Sequence, residues 1–170
     1  ELESKLNNKI NFVFIFTNKK NQSFFEKKIK NTLYFNKNNL INRFSLFLNK
    51  IDNIRKLVFK LKINTFQNFI NNNKIDFLIF LSPSNLVFCC RFINFVSTIW
   101  EIQYKNYPFL IEYKNIHNDI KERDNVSKFI SLYSYKIFVG TQKSKEDFSY
   151  FYRCDPNNII KKFTNSTIIK

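Results

Sequence analysis

The clearest periodicity in the chain is an apolar seam at Phe44, Phe47, Ile51, Ile54, Val58 and Leu61, spaced alternately three and four residues apart. That is the a/d spacing of a heptad pattern, and Arg43, Lys50, Arg55, Lys56, Lys60 and Lys62 lie off it. The pattern predicts an amphipathic helix packed on the core, with a helical hairpin arm standing off the domain as the alternative. Upstream, residues 10–17 (INFVFIFT) form a short, nearly continuous apolar run, the mark of a strand buried on both faces. Residues 21–30 set Phe24, Phe25 and Ile29 on one side and Glu26, Lys27, Lys28 and Lys30 elsewhere, which predicts a helix. Residues 32–35 predict another short strand.

Further along, residues 64–73 are a polar, Asn-rich connector with Phe66, Phe69 and Ile70, open to a second helix. Residues 75–81 (IDFLIFL) predict a second buried strand, stopped by Ser82, Pro83, Ser84 and Asn85. Residues 86–95 predict its crossover helix, and residues 108–113 (PFLIEY) a third strand. Asp124 is placed to cap a helix whose apolar face is Val126, Phe129, Ile130, Tyr133 and Ile137. Alternating buried strands and helices imply an α/β fold, a parallel central sheet between helix layers in Rossmann-like fashion with right-handed crossovers. A length of 170 residues suits one core. We place a single α/β domain over 1–140, with 43–73 as a helical insertion and 141–170 as a basic, aromatic extension.

Residues 77–100 are the one stretch to weigh as a membrane span. Pro83, Asn85, Arg91 and Asn94 interrupt it, leaving apolar pieces far short of the roughly 20 residues a span needs. A buried strand, turn and helix fit better.

Composition narrows the picture more than any motif. The chain has no alanine, no methionine and one glycine, against 26 Asn, 23 Lys, 22 Ile, 22 Phe and 8 Tyr. Folding does not call for Phe and Asn in place of Ala and Gly, so the bias points to a very A+T-rich gene, as is typical of organelle genomes. It also erodes ordinary propensity signals. Formal net charge is +15, which favours a polyanionic partner such as nucleic acid or an anionic membrane surface. Lysine codons are themselves A-rich, so part of the excess is mutational.

With Gly140 alone, the chain lacks the glycines that dinucleotide and P-loop sites use to bring backbone against phosphate. Residues 140–144 (GTQKS) lack the second glycine and the spacing of such a loop. Cys89, Cys90 and Cys154 make no CxxC pair, and His117 is the single histidine, so zinc ligation is not expected. Cys89 and Cys90 read as core filler, and His117 as a surface residue among Asn115, Asn118 and Asp119. Asp119, Glu122 and Asp124 are close enough in sequence to attract a cation, although a loop and a helix cap explain them more simply. We expect no catalytic residues, no metal and no cofactor.

What remains is basic residues interleaved with aromatics and amides, including Lys19, Lys20, Lys37, Arg43, Arg55, Lys56, Lys161 and Lys162. Distributed cations of this kind suit phosphates along folded RNA, giving affinity without sequence readout. No RNP-type aromatic pattern and no GXXG loop is present.

The order of elements resembles the universal small-subunit ribosomal protein S-two family. Residues 9–20 (KINFVFIFTNKK) are similar to its first strand and basic turn, and 34–40 (YFNKNNL) to its FVNxRWLGG segment, with Asn36 and Leu40 matching. The Arg-Trp and Gly-Gly of that segment have no counterpart. The heptad pattern falls where the family inserts a helical hairpin, here shortened. Residues 75–83 (IDFLIFLSP) resemble its PDLVIVLNP strand, 107–111 (YPFLI) its IPTIGLVDTN strand without the Asp-Thr, and 124–133 (DNVSKFISLY) its NDDAIRAVTLY helix. Residues 91–106 look like an insertion, and nothing beyond Gly140 matches. The resemblance implies a non-catalytic protein between head and body of a small ribosomal subunit, contacting ribosomal RNA and neighbouring ribosomal proteins. By position it makes Lys19, Lys20, Asn36, Lys37 and Arg43 RNA-facing; Arg55 and Lys56 join them as the basic pair off the seam.

Organelle genomes mostly retain respiratory membrane subunits and ribosomal components. A strongly basic, glycine-poor product without a clear span belongs with the second group. The expectation is a structural constituent of the small subunit of a mitochondrial ribosome, located in the matrix; an accessory subunit of a respiratory-chain membrane complex is the alternative.

Overall fold

Two parallel sheets organise the chain, one in each of two units, residues 1–69 and 70–170. The computed structural model describes residues 11–26, 29, 31–100, 102–107 and 117–161. The α/β class expected from the sequence, parallel strands in sheets flanked by helices, is what it shows. The boundaries differ: residue 69, rather than the end of a single 1–140 domain, divides the chain.

The first unit opens with a βαβ element: β1 (Phe14–Phe16), α1 (Lys19–Phe25) and β2 (Thr32–Tyr34). β1 and β2 pair in parallel with Phe14 opposite Thr32 and Phe16 opposite Tyr34. Asn18 starts α1 by accepting a hydrogen bond from the Lys20 amide at 2.9 Å. β1 is shorter than the apolar run implies, and Val13 and Phe14 are exposed, so it is not buried on both faces. Residue 10 lies outside the described residues, as do Lys27, Lys28 and Lys30. Past β2, buried Phe35 meets Phe66 edge-on at 4.9 Å and Phe69 at 5.3 Å.

The seam region folds as two helices, α2 (Leu40–Lys50) and α3 (Asp52–Lys60), followed by α4 (Thr65–Asn72) where the connector was open to a helix. The joint is Ile51, whose backbone is extended (φ −91°, ψ 110°). The seam does not pack on a core. Phe44 and Phe47 are 59% and 60% exposed, and Ile51, Ile54 and Leu61 also face out; of its members only Val58 is buried. The buried face is the polar one, with Ser45, Asn49, Arg55, Asn64 and Gln67 inside.

The second unit carries β3 (Phe77–Phe80), β4 (Asn94–Ile99), β5 (Lys136–Val139) and β6 (Ile159–Lys161), side by side in that order and all parallel. A single turn, α5 (Gln103–Asn106), follows β4; α6 (His117–Tyr133) leads to β5 and α7 (Gln142–Tyr152) to β6. Right-handed crossovers between strands laid down in one direction put α6 and α7 on the same face, where they touch each other. Leu78, Phe95, Ser97, Ile99, Ile137, Val139 and Ile159 share one face through the strand register, and all are buried. On the opposite face Phe77, Ile79 and Ile160 are exposed. β3 is thus an edge strand open on one side, not a strand buried on both. The indole Nε1 of Trp100 donates to the Leu81 carbonyl at 3.1 Å, tying the chain after β4 to the chain after β3.

Several expectations change in this unit. Residues 86–95 are not a helix: a 3-10 turn (Asn85–Cys89) buries Leu86, Val87, Phe88 and Cys89, and β4 begins at Asn94, inside the stretch read as an insertion. The β-branched and aromatic run after Asn94 is a strand signal that the A+T bias made look ordinary. Asp124 does not start its helix, which begins at His117; Ile137 belongs to β5. Residues 142–161 are no extension but the last helix and strand of the sheet. The strand expected at 108–113 lies outside the described residues. Cys89 and Cys90 are buried, as filler should be.

Among the described residues, three helices end on a left-handed residue that is not glycine: Lys62 (φ 56°), Lys74 (φ 53°) and Arg153 (φ 49°). After α3 the Ile63 amide reaches back to Val58 O at 3.0 Å, and after α4 the Ile75 amide to Ile70 O at 3.2 Å. These are six-to-one Schellman closures, in which the preceding left-handed position normally selects glycine. The one glycine, Gly140, has no positive φ, and a Cβ built on it meets nothing within 4 Å.

Candidate nucleic-acid interface

Both strands of the first sheet run the same way, so the residues that follow them share its carboxyl edge. The Phe35 amide donates to Phe16 O at 2.9 Å, bringing residues 17–20 beside 36–37. Lys19, Lys20, Asn36 and Lys37 are exposed there. The turn after β2 is built from asparagines. Asn36 Oδ1 accepts from the Asn38 amide at 3.2 Å, Asn42 Nδ2 donates to Asn36 O at 2.7 Å, and Asn39 caps α2 by accepting from the Ile41 amide at 3.2 Å. Arg43, exposed one turn into α2, hangs from that cap through its amide to Asn39 O at 2.8 Å. Five of the seven expected RNA-facing residues therefore belong to one loop pair and the helix turn beside it.

Arg55 and Lys56 do not join them as a pair. Lys56 is exposed on α3. Arg55 is 3% exposed, and its Nε donates to Asn49 O at 2.6 Å, across the joint at Ile51. A helix end leaves its last carbonyls without intrahelical partners, and a cation there also meets the negative end of the dipole. Arg55 is accordingly corrected from a phosphate contact to a cap on α2. Around it, Asn49 Nδ2 donates to Ser45 O (2.8 Å), the Thr65 amide to Ser45 Oγ (3.1 Å), and the Gln67 amide to Asn64 Oδ1 (3.0 Å). Spacing could have revealed this set. Ser45 and Asn49 are four apart, opposite the apolar seam, and polar residues at that interval are as periodic as the seam itself.

The second unit's polar groups are largely satisfied among themselves. Lys105 Nζ lies 2.6 Å from Asp124 Oδ1, the Tyr152 hydroxyl donates to the same oxygen at 2.8 Å, and Tyr104 and Tyr152 hydroxyls are 2.9 Å apart. Burial, and then the neighbouring Tyr104 hydroxyl, push the Tyr152 phenol above its ordinary range. Glu122 Oε1 accepts from Asn85 Nδ2 at 2.5 Å, and Asp119 sits in the first turn of α6. Asp119, Glu122 and Asp124 thus serve separate purposes, and among the described residues no group of His, Cys, Asp or Glu converges as a metal site. In the residues 140–144, Thr141 caps α7 by accepting from the Ser144 amide at 3.0 Å, and Lys143 pairs with Asp147 at 2.8 Å, which raises its pKa. That geometry is a capped helix start with an i,i+4 ion pair.

Comparison of the chain with protein-family models, with curated proteins and with solved structures finds no match.

Proposed function

We propose that the chain is a non-catalytic, RNA-binding constituent of the small subunit of a mitochondrial ribosome, of the kind its sequence resembles. The observation that carries the reading is the carboxyl edge of the β1–β2 sheet, which brings Lys19, Lys20, Asn36 and Lys37 together with Arg43 one helix turn on. Clustered lysines on a loop pair act as point charges for phosphates, and the amides beside them supply donors. A net charge of +15 supports a polyanionic partner, and the composition supports an organelle gene. The outward apolar seam on α2 and α3 supports protein neighbours in addition to RNA.

The same seam favours the second reading, an accessory subunit of a respiratory-chain complex. Against an embedded position, no helix among the described residues is long and apolar enough to cross a membrane.

Fractionation of organelle lysate separates the two. Sedimentation with the small ribosomal subunit, released by high salt, is the expected result. Recovery in a detergent-solubilised respiratory complex, with none on the ribosome, overturns the ribosomal reading.

A further inference from the structure

The amino-terminal edge of the second sheet carries a cluster of a different kind. The turn before β4 presents Arg91 and Phe92; the end of α6 and the start of β5 present Tyr133, Tyr135 and Lys136. The Tyr135 amide donates to Phe95 O at 2.8 Å, which fastens these two segments together. The Arg91 guanidinium carbon lies 5.8 Å from the Phe92 ring centre and 5.5 Å from that of Tyr133, bridging rings from two elements. Lys136 Nζ lies 5.9 Å from the Tyr135 ring and is anchored by donating to Asn157 O at 2.9 Å. Phe92 and Tyr135 are 55% and 65% exposed, and Tyr133 is 37% exposed while its ring also rests on Phe129 at 4.4 Å.

We propose that this edge is a stacking platform for unpaired bases of single-stranded RNA. An exposed ring offers a π-face to any base, and a cation held over or beside the ring is placed for the phosphate that follows. The cations are already within 6 Å of the rings, so neither has to be recruited on binding. Two carboxylates precede strands on this edge, Asp76 before β3 and Asp155 before β6, and Asp155 is engaged by the Asn157 amide at 2.8 Å. The net charge of +15 favours a polyanion over a protein surface as the occupant. The platform extends RNA binding to a second surface, in the other unit from Lys19 and Lys20, and its chemistry differs: bases here, phosphates there.

The test measures binding of a labelled oligouridylate of about eight nucleotides, and of an RNA duplex of equal length, by fluorescence anisotropy. The full chain is compared with Phe92→Leu/Tyr135→Leu, and separately with Arg91→Gln. Both exchange exposed groups, and a circular-dichroism melt checks the fold. The expected result is about tenfold or greater loss of single-strand affinity in the double variant, with duplex binding and the salt slope held. Arg91→Gln is expected to weaken single-strand binding several-fold. Unchanged single-strand affinity in both folded variants overturns the platform, as does an equal loss on duplex. Loss of a protein neighbour from the ribosomal particle with oligouridylate binding intact overturns it in favour of a protein-docking surface. Because Lys19 and Lys20 are untouched, failure here leaves the co-sedimentation test standing, and the reverse holds too.

Discussion

Arg55 closes the end of one helix from the start of the next, its Nε donating to the carbonyl of Asn49 at 2.6 Å on the far side of the joint at Ile51. Removing the guanidinium strands a buried carbonyl. Arg55→Gln is expected to cost about 1–3 kcal/mol in urea unfolding followed by circular dichroism. Lys56→Gln, its exposed neighbour, is expected to stay within about 0.5 kcal/mol. Equal effects would mean Arg55 is no cap.

The outward seam predicts the reverse of what a hydrophobic pattern usually implies. Phe44→Ser and Phe47→Ser are expected to change unfolding free energy by no more than about 0.5 kcal/mol, because the rings are already largely in water. Val58→Ala, with the one buried side chain of the seam, is expected to cost about 1–3 kcal/mol. Loss of several kcal/mol at Phe44 would place the seam in a core.

At the carboxyl edge of the first sheet, Lys19→Ala/Lys20→Ala is expected to weaken RNA association about tenfold at low salt. Removing two phosphate contacts should also flatten the dependence of log K on log salt by about 1.5. Unchanged affinity and slope would remove both residues from the interface.

Burial holds the Cys90 thiol well above its ordinary value of 9.0, with Cys89 beside it adding to the rise. The unfolded chain therefore loses that proton first as pH climbs, and the folded state binds more protons than the unfolded one. Stability on this account is fully present below pH 9 and falls above it, by up to about 1.4 kcal/mol per pH unit for one group. Tyr152, raised from 10.0, adds a second fall above pH 10. Cys90→Ala should flatten the profile between pH 9 and 10 in denaturant titrations; an unaltered slope would mean the thiol does not titrate differently in the two states.

The left-handed helix ends make a stabilising prediction. A side chain at such a φ costs about 1 kcal/mol relative to glycine, so Lys62→Gly, Lys74→Gly and Arg153→Gly are each expected to raise stability by up to that amount, less some unfolded-state entropy. Gly140→Ala is expected to be neutral or to stabilise by about 0.5 kcal/mol, since no positive φ and no neighbour requires glycine. A gain at Gly140 alone, with losses at all three helix ends, would reverse the interpretation.

Much of the α/β pattern was legible because it depends on position rather than residue type. β2, β3 and α4 fall where apolar spacing puts them. β4 was hidden, because in a chain this rich in Phe and Ile a strand does not stand out from its surroundings. The seam had the right period and the wrong polarity: spacing reports that a helix has two faces, and burial of Ser45 and Asn49 decides which one is inside. The lysine edge was readable as loop residues after two strands. The Arg91 and Tyr133 pairing was not, since the two lie far apart along the chain and only the fold brings them within 6 Å.

The chain's single tryptophan, Trp100, sits in the second unit, bonded to Leu81. Its emission is consequently a label that reports on the second unit. Circular dichroism weighs both units together. Coincident melting curves from the two signals would mean that the units rise and fall as one cooperative body, and separated curves that each has a transition of its own.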